Sequence, residues 1–277
     1  MKKSILIGML AGLLGSSTSL YAYDITTGSA MGSYIKIGQN LAKLVEGGNV
    51  LESKGSIENL ERLAAGKADI GIVQLDAYAW FSSKSPEKAA KIEVMGTLYK
   101  ECIHIAVNKN GKVQSEDDLQ QEGATIAVGK QGSGAAVTWD YMMKLEPGYK
   151  KSAVVFKGGS RAFAKLLLSD KKGTSGIDAI MWVTKPNLQD KYLKIVMDNP
   201  KLTMIEVNDK DLNDNYKPLG RPIYEFQSLP TKDGLFNKGG LKVPCVDAAL
   251  VARSDADDDL LDKVSDVLLS YKTSLLK

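Results

Sequence analysis

Histidine and cysteine are nearly missing from this sequence, and with them the usual ligands of a zinc site. The 277 residues include one histidine and two cysteines, too few for a tetrahedral site built from these side chains. Neither Gly-x-Ser-x-Gly nor Gly-x-x-x-x-Gly-Lys-Ser/Thr occurs, although these motifs mark serine hydrolases and phosphate-binding P-loops. We therefore expect no metal, no cofactor and no enzymatic activity.

An excess of charge of one sign is missing as well. The chain has 36 Lys and Arg against 33 Asp and Glu, and Lys2 and Lys3 lie in a segment that we assign to a targeting signal. The remaining basic and acidic residues are nearly balanced, so the sequence offers no basic field for nucleic acid. With 44% hydrophobic and 25% charged residues, the composition is typical of a globular protein of one or two domains.

Residues 1–22 have the order of a secretory signal peptide. Lys2 and Lys3 precede an apolar run from Ile5 to Leu14, and Leu20-Tyr21-Ala22 supplies a small residue for cleavage. The run has about ten residues, whereas a membrane span needs roughly 20. We expect cleavage after about Ala22 and export to the periplasm; an uncleaved anchor is the alternative.

Export changes the interpretation of Cys102 and Cys245. The two residues are too far apart in sequence to form a local metal knuckle. In an oxidising compartment such a pair is a candidate disulfide. Two unpaired buried thiols are the alternative.

Two pairs of Gly-Ser turns repeat at one offset. Gly28-Ser29 and Gly132-Ser133 are 104 residues apart, and so are Gly55-Ser56 and Gly159-Ser160. Further along, Ala68–Val73 matches Gly176–Met181, with the extra residues falling in a loop. The repeat predicts two similar halves, with a chance recurrence of low-complexity dipeptides as the alternative.

Each half alternates strand and helix. The apolar runs 70–73, 126–128, 154–156 and 177–183 have the length of buried strands, and the intervals 34–45, 57–64 and 163–167 show helical spacing. This alternation predicts an α/β fold with a mainly parallel sheet in each half. The Gly-Ser turns follow strands and open helices, at the sheet edge where ligands bind in such folds.

A glycine-serine turn at a helix start is suited to an anion. The first N–H groups of a helix have no partner within it, and the helix dipole is positive there. Serine is also a favoured N-cap, so capping of its own helix is the alternative for any single turn. Four turns related by a repeat favour anion binding between two facing halves.

Two other features, a Ser-x-x-Lys pattern and the single histidine, could be catalytic or structural. Ser33 and Lys36 match the Ser-x-x-Lys of penicillin-binding acyltransferases, but the companion motifs are absent. An exported enzyme using this pair is therefore a lesser alternative. His104 lies in an alternating apolar strand with no catalytic partner nearby in sequence, so we expect a structural imidazole.

Four segments resemble the TAXI family, the extracytoplasmic solute-binding proteins that serve TRAP transporters. The similarity runs from about Ile25 to the C-terminus, and its most specific parts are 27–34, 52–60, 66–76 and 128–134. The family usually has a small residue in place of Lys54 and a proline in place of Gln131.

The resemblance implies a type II periplasmic binding protein fold, in which two lobes close on a ligand about two hinge strands. It also implies a small carboxylate ligand, such as glutamate or 2-oxoglutarate, delivered to a TRAP membrane permease subunit. We expect lobe one to comprise residues 24–102 and 247–277, and lobe two residues 103–246. The expected hinge strands, 102–107 and 243–251, carry the two cysteines.

An ABC-type receptor for phosphate, phosphonate or sulfonate is the alternative among binding proteins, and a sensor or surface antigen without a transport role is a third possibility. We expect a monomer. The predicted ligand-binding residues are Thr27, Gly28, Ser29, Gly32, Ser33, Tyr34, Lys54, Ser56, Gln74, Asp76, Gly132, Ser133, Gly159, Ser160 and Trp182.

Overall fold

The computed structural model describes residues 22–187, 189–216, 219–229 and 240–277. The predicted signal peptide lies outside the described residues, except for Ala22. Among the helices that are described, none is both long and apolar enough to cross a bilayer.

The secondary structure alternates along the chain as the sequence predicts. The strands are β1 (Tyr23–Thr26), β2 (Gly48–Leu51), β3 (Ile70–Gln74), β4 (Ile92–Asn108), β5 (Thr125–Ala127), β6 (Ala153–Val155), β7 (Ala179–Thr184), β8 (Leu202–Met204), β9 (Asn215–Tyr216), β10 (Arg221–Pro222), β11 (Tyr224–Leu229) and β12 (Leu241–Arg253). The α-helices are α1 (Ser33–Leu44), α2 (Ser56–Ala64), α3 (Leu75–Lys84), α4 (Pro86–Ala89), α5 (Glu116–Leu119), α6 (Gly134–Leu145), α7 (Ser160–Leu166), α8 (Lys191–Asp198), α9 (Asp258–Ser270) and α10 (Lys272–Leu275). Pro147–Lys151 and Lys210–Asn213 form 3₁₀ turns.

The two halves of the sequence repeat form the same strand arrangement. In the first half, β1 lies between β2 and β3 and is parallel to both. In the second half, β5 lies between β6 and β7 and is likewise parallel to both. The predicted repeat and the predicted α/β fold are therefore confirmed.

The predicted helices pack most of their apolar positions on the sheet, although Leu44 at the end of α1 is exposed. In the first half, Ile37 and Leu41 of α1 pack with Ile25 and Ile72 from the strands, and Val264 of α9 joins this core. The C-terminal helix thus returns to the first half. The burial of these side chains, at about 25 cal/mol per Å² of apolar surface, holds the helices on the sheet.

Two long antiparallel strands join the halves into one sheet. β4 pairs with β12 along most of its length, and the sheet order is β2-β1-β3-β12-β4-β7-β5-β6. Both strands extend beyond the crossing segments that the sequence suggested. β12 also pairs with β3, and β4 pairs with β7, so each crossing strand is tied to one half.

Cys102 and Cys245 lie opposite each other on these crossing strands and form a disulfide. Their Cα atoms are 3.9 Å apart, and the bond closes 143 residues of sequence. Both side chains are fully buried. The predicted pairing is confirmed.

We expect the disulfide to be a large part of the stability of the oxidised protein. For a loop of this length the chain-entropy model gives an upper figure of about 4–5 kcal/mol. Thiol titration of denatured, unreduced protein should find no free thiol. Urea unfolding of a Cys102→Ser, Cys245→Ser double variant should show a loss approaching that figure. Two reactive thiols in the denatured, unreduced chain would contradict the pairing.

Candidate functional site

A cleft of about 780 Å³ opens between the two halves, at the carboxyl ends of their strands. It is bordered by turns from both halves and by the crossing strand β4. Its lining residues are Gly28, Ser29, Met31, Gly32, Ser33, Tyr34, Ser53, Lys54, Gly55, Ser56, Gln74, Glu101, Lys130, Gln131, Ser133, Gly134, Ala135, Trp182, Val183, Thr184 and Tyr192.

The turns of the two halves approach each other across one end of the cleft. A Cβ on Gly55 would lie 3.7 Å from the Gly134 nitrogen and 3.8 Å from the Gly132 oxygen. A Cβ on Gly134 would collide with Oε1 of Gln74. A side chain at residue 134 would therefore displace the Gln74 side chain, which packs directly on this glycine.

The helix starts at the cleft differ in how they are capped. Gly32 precedes α1 and Gly55 precedes α2, and neither helix has a side-chain cap. Ser133, in contrast, caps α6 by accepting a hydrogen bond of 3.4 Å from the Ala136 nitrogen. The capping interpretation therefore holds for Ser133. Of these three helix starts, that of α1 is the best suited to an anion, because it has no side-chain cap and no acidic residue in its first turn.

Two exposed lysines stand at the cleft, one from each half. Lys54 directly precedes the α2 turn and Lys130 lies in the loop before α6. Within the described part of the chain, neither forms an ion pair. Their charge adds to the positive helix starts.

The sequence analysis missed Glu101, a carboxylate of β4 in the same cleft. The Tyr34 hydroxyl donates to its Oε2 at 2.9 Å, and the Tyr99 hydroxyl lies 3.4 Å from its Oε1. Burial, more than any other factor, raises the pKa of Glu101 to about 7, and the charge of Asp76 adds to the effect. The carboxyl thus titrates near neutral pH.

An aromatic wall closes the side of the cleft formed by the second half. Trp182 and Tyr192 line it, and Phe163 packs edge-on against Trp182 from behind. Asp190 accepts a hydrogen bond of 3.2 Å from the Trp182 Nε1 and also caps α8. His104 stacks on Trp182 with ring centroids 5.2 Å apart, so this wall is held from two directions.

The environment of His104 is that of a structural side chain. The ring is fully buried, and its Nδ1 lies 2.8 Å from the Cys102 carbonyl oxygen. Burial lowers the pKa of the imidazole, which favours the neutral ring. The ring therefore supports the disulfide strand and the cleft tryptophan.

Gln74 contributes a buried amide to the cleft. Its side chain is 4% exposed, and its Nε2 has no hydrogen-bond partner among the described residues. The Gln74 backbone N–H donates to the Ser56 hydroxyl oxygen at 3.1 Å, which fixes that serine at the start of α2. An unpaired buried amide costs free energy unless something else satisfies it.

Ten of the predicted ligand-binding residues line the cleft, and five do not. The five are Thr27, Asp76, Gly132, Gly159 and Ser160. Thr27 is buried and its hydroxyl donates to the Leu51 carbonyl oxygen. The turn that begins α7 packs instead behind the loop before α6, where a Cβ on Gly158 would lie 3.1 Å from the Gly129 Cα. Lys36, of the Ser-x-x-Lys pattern, is exposed and also outside the lining.

Asp76 connects the two halves inside the protein. It is fully buried in α3, and its Oδ2 accepts hydrogen bonds from Thr138 of α6 at 2.7 Å and from Tyr224 of β11 at 2.9 Å. Its Oδ1 accepts from the Ala77 nitrogen. Burial raises the pKa of this carboxyl. The carboxyl thus has its partners within the protein.

A cluster of carboxylates elsewhere is explained by local turns. Oxygens of Glu146, Asp209 and Asp211 lie within 4.8 Å of one another. Glu146 and Asp209 each cap a 3₁₀ turn, and Asp209 also accepts from Gln120. These contacts account for the cluster without an ion.

Three solved structures with the same architecture contain different ligands. The amino acid ABC transporter substrate-binding protein AbpA from Streptococcus pneumoniae, bound to L-arginine, is 17% identical, with 91% of this chain and 90% of that chain covered and a TM-score of 0.50. The GluR0 ligand binding core with L-glutamate is 15% identical, with 93% and 96% covered and a TM-score of 0.51. XAC2383 from Xanthomonas citri, bound to ATP, is 12% identical, with 90% and 83% covered and a TM-score of 0.52.

At these identities the comparisons show the fold alone: two α/β lobes of the type II periplasmic binding protein class. The sequence model of the NMT1-like family matches residues 25–272. The match covers nearly all of the described residues.

We expect the contact between Thr138 and Asp76 to stabilise the packing of the two halves. Thr138→Val keeps the shape but removes a donor from a buried carboxyl, which should lower the free energy of unfolding by about 1–3 kcal/mol. Urea denaturation measures this loss. Thr97→Val, at a partly buried position of β4, is the control and should change the free energy of unfolding by no more than about 0.5 kcal/mol. If both variants lose the same free energy, the contact with Asp76 does not stabilise the packing of the halves.

Proposed function

The chain belongs to the NMT1-like family, and on that premise we propose that it is an extracytoplasmic solute-binding protein that encloses a small organic acid between its two lobes. The observation that carries the proposal is the convergence of positive groups from both halves on one cleft. The uncapped starts of α1 and α2 and the lysines Lys54 and Lys130 all border it. A carboxylate is the ligand group that such a set would bind.

The first lobe supplies the main anion site. Gly28, Ser29, Gly32 and Ser33 border the cleft where α1 begins. The backbone N–H groups there and the serine hydroxyls are donors for carboxylate oxygens. Lys54 adds a charge from the neighbouring turn, and the unpaired Gln74 amide offers a further donor.

The second lobe completes the enclosure. Lys130 and Ser133 face the anion site, and Trp182 and Tyr192 offer an apolar surface to the body of the ligand. We assign residues 24–102 and 247–277 to lobe one and residues 103–246 to lobe two, with β4 and β12 as the hinge. A ligand that contacts both lobes favours their closed arrangement, so binding and closure are coupled.

The transport partner follows from the resemblance to the TAXI family. On this basis the protein delivers its ligand to a TRAP permease. The signal-peptide pattern of residues 1–22 adds that the chain is secreted to the periplasm with this segment removed, and we expect it to work as a monomer. The ABC-type reading has support of its own, because one structural relative is named as an ABC transporter substrate-binding protein. The permease gene beside this one distinguishes the two systems.

Ligand binding should compact the protein. Micromolar affinity requires about 8 kcal/mol net, more than one face of the cleft supplies after the cost of immobilising a ligand. Small-angle scattering should show a smaller radius of gyration with the acid found by native mass spectrometry, and Ser29→Ala with Ser133→Ala should abolish the change. Ser115→Ala, which removes a helix cap away from the cleft, is the control; tight binding without compaction would contradict the two-lobed enclosure.

Lys54 should contribute to affinity but not to folding. A charge-assisted hydrogen bond is worth about 1.5–3 kcal/mol, so Lys54→Met should weaken binding of the acid by about one to two decades in calorimetry. The melting temperature of the unliganded protein should not change, because the side chain is exposed. Lys67→Met, at an exposed position outside the cleft lining, is the matched control. Unchanged affinity would place Lys54 outside the site.

A further inference from the structure

Glu101 is a negative group in a cleft whose other charged groups at the mouth are positive. The groups that face it are Tyr34 of α1, Tyr99 of its own strand, Asp76 of α3 and Lys185 after β7. Lys185 lies 3.8 Å above the Tyr99 ring rather than in an ion pair with Glu101 within the described part of the chain. The carboxylate therefore has phenol partners but no cation paired with it.

The two phenols satisfy only part of this carboxylate. An ionised carboxylate has about four lone-pair sites, and each tyrosine hydroxyl supplies a single donor. The open sites face the cleft, which Glu101 lines. A ligand carrying only carboxylates would bring a second negative charge to this point, and like charges at short range disfavour each other.

We propose that Glu101 receives an ammonium group of the ligand, so that the cleft selects amino acids over acids that lack an amine. This assignment rests on the proposed function and names the substrate class within it. An ammonium group has three donors and a positive charge, and it complements the open side of the Glu101 carboxylate.

Tyr34 sets the spacing between the two ends of the ligand. It is the second residue of α1, where the carboxylate is expected, and its hydroxyl reaches Glu101. The start of α1 and Glu101 are therefore linked by one tyrosine side chain and its 2.9 Å hydrogen bond. An amino acid carries its carboxylate and its ammonium within such a distance.

The assignment fixes the sign of the proton linkage. An ammonium group stabilises ionised Glu101 and so lowers its pKa from about 7, which releases a proton on binding near neutral pH. Affinity should then rise about tenfold between pH 6 and pH 8. An acid that lacks an amine would instead bind best with Glu101 protonated, and its affinity should fall over the same range.

The test compares amino acids with their 2-oxo counterparts. A thermal-shift screen of the twenty common L-amino acids selects binders, and calorimetry then measures each binder against its 2-oxo acid, such as L-glutamate against 2-oxoglutarate. The members of a pair share every carboxylate and differ in the amine. We expect the amino acid to bind at least tenfold more tightly at pH 8 and the predicted rise in affinity with pH.

Glu101→Gln keeps the shape and one of the two acceptor oxygens that the tyrosines use, but it removes the charge. It should reduce amino acid affinity at least tenfold and abolish the pH dependence, while the affinity for the 2-oxo acid is kept or increased. Glu93→Gln, at an exposed position on the same strand, should change neither the affinities nor their pH dependence. The urea unfolding transition of both variants checks that they are folded.

Other outcomes overturn the assignment in distinguishable ways. A 2-oxo acid that binds as tightly as its amino acid, or a Glu101→Gln variant that keeps the preference, removes Glu101 from this role. If no amino acid binds and a carboxylic acid without an amine compacts the protein, the substrate class is wrong and the proposed function stands. If no carboxylic acid binds at all, both are wrong.

Discussion

The pairing of β4 with β12 is the constraint on which the rest of the molecule depends. These antiparallel strands are the only connection of the sheet between its two halves within the described residues. Each is also hydrogen-bonded to one half, through β3 or β7. The Cys102–Cys245 disulfide fixes their register at the point where the strands leave one half for the other. A displacement of one half must therefore be taken up along these two strands.

The polar residues buried at the junction between the halves differ in whether they are satisfied. Asp76 has donors from three elements and is complete without a ligand. Gln74 and Glu101 retain open hydrogen-bonding capacity toward the cleft. Because burial of an unsatisfied polar group costs free energy, the protein holds the Gln74 amide at a cost, whereas Glu101 is only partly buried and each of its oxygens has a tyrosine partner. The difference separates a carboxyl that is satisfied within the protein from two groups that are open to the cleft.

The paired turns show how a repeated local structure is put to different uses. Gly55 and Gly159 occupy equivalent places and both have a positive φ, at 132° and 69°, a region that favours glycine. Only the first borders the cleft. The second packs behind the loop before α6. Local geometry thus produces several turns of similar shape, and the packing of the halves decides which of them border the cleft.

The sequence by itself determined the alternation of strands and helices, the two repeated halves and the turns that follow the strands. It also predicted the disulfide that the structure contains, from the expected export and the positions of the two cysteines, with two unpaired thiols as the alternative. These features rest on local propensity and on hydrophobic periodicity, which a single chain carries in its own order.

Glu101 and Asp76 were decided only by the tertiary structure. Glu101 has the same alternation parity as Ile103, Ile105 and Val107, which pack into a core, so periodicity would bury it among them. Glu101 lies where that core ends and the cleft begins. The position of this boundary depends on the distance between the two halves. Asp76 follows a strand at the ligand edge, yet α6 and Tyr224 cover it. Periodicity specifies the side of a helix or strand on which a residue lies. The groups that face this residue come from segments distant in sequence, and only the packing of the two halves places them.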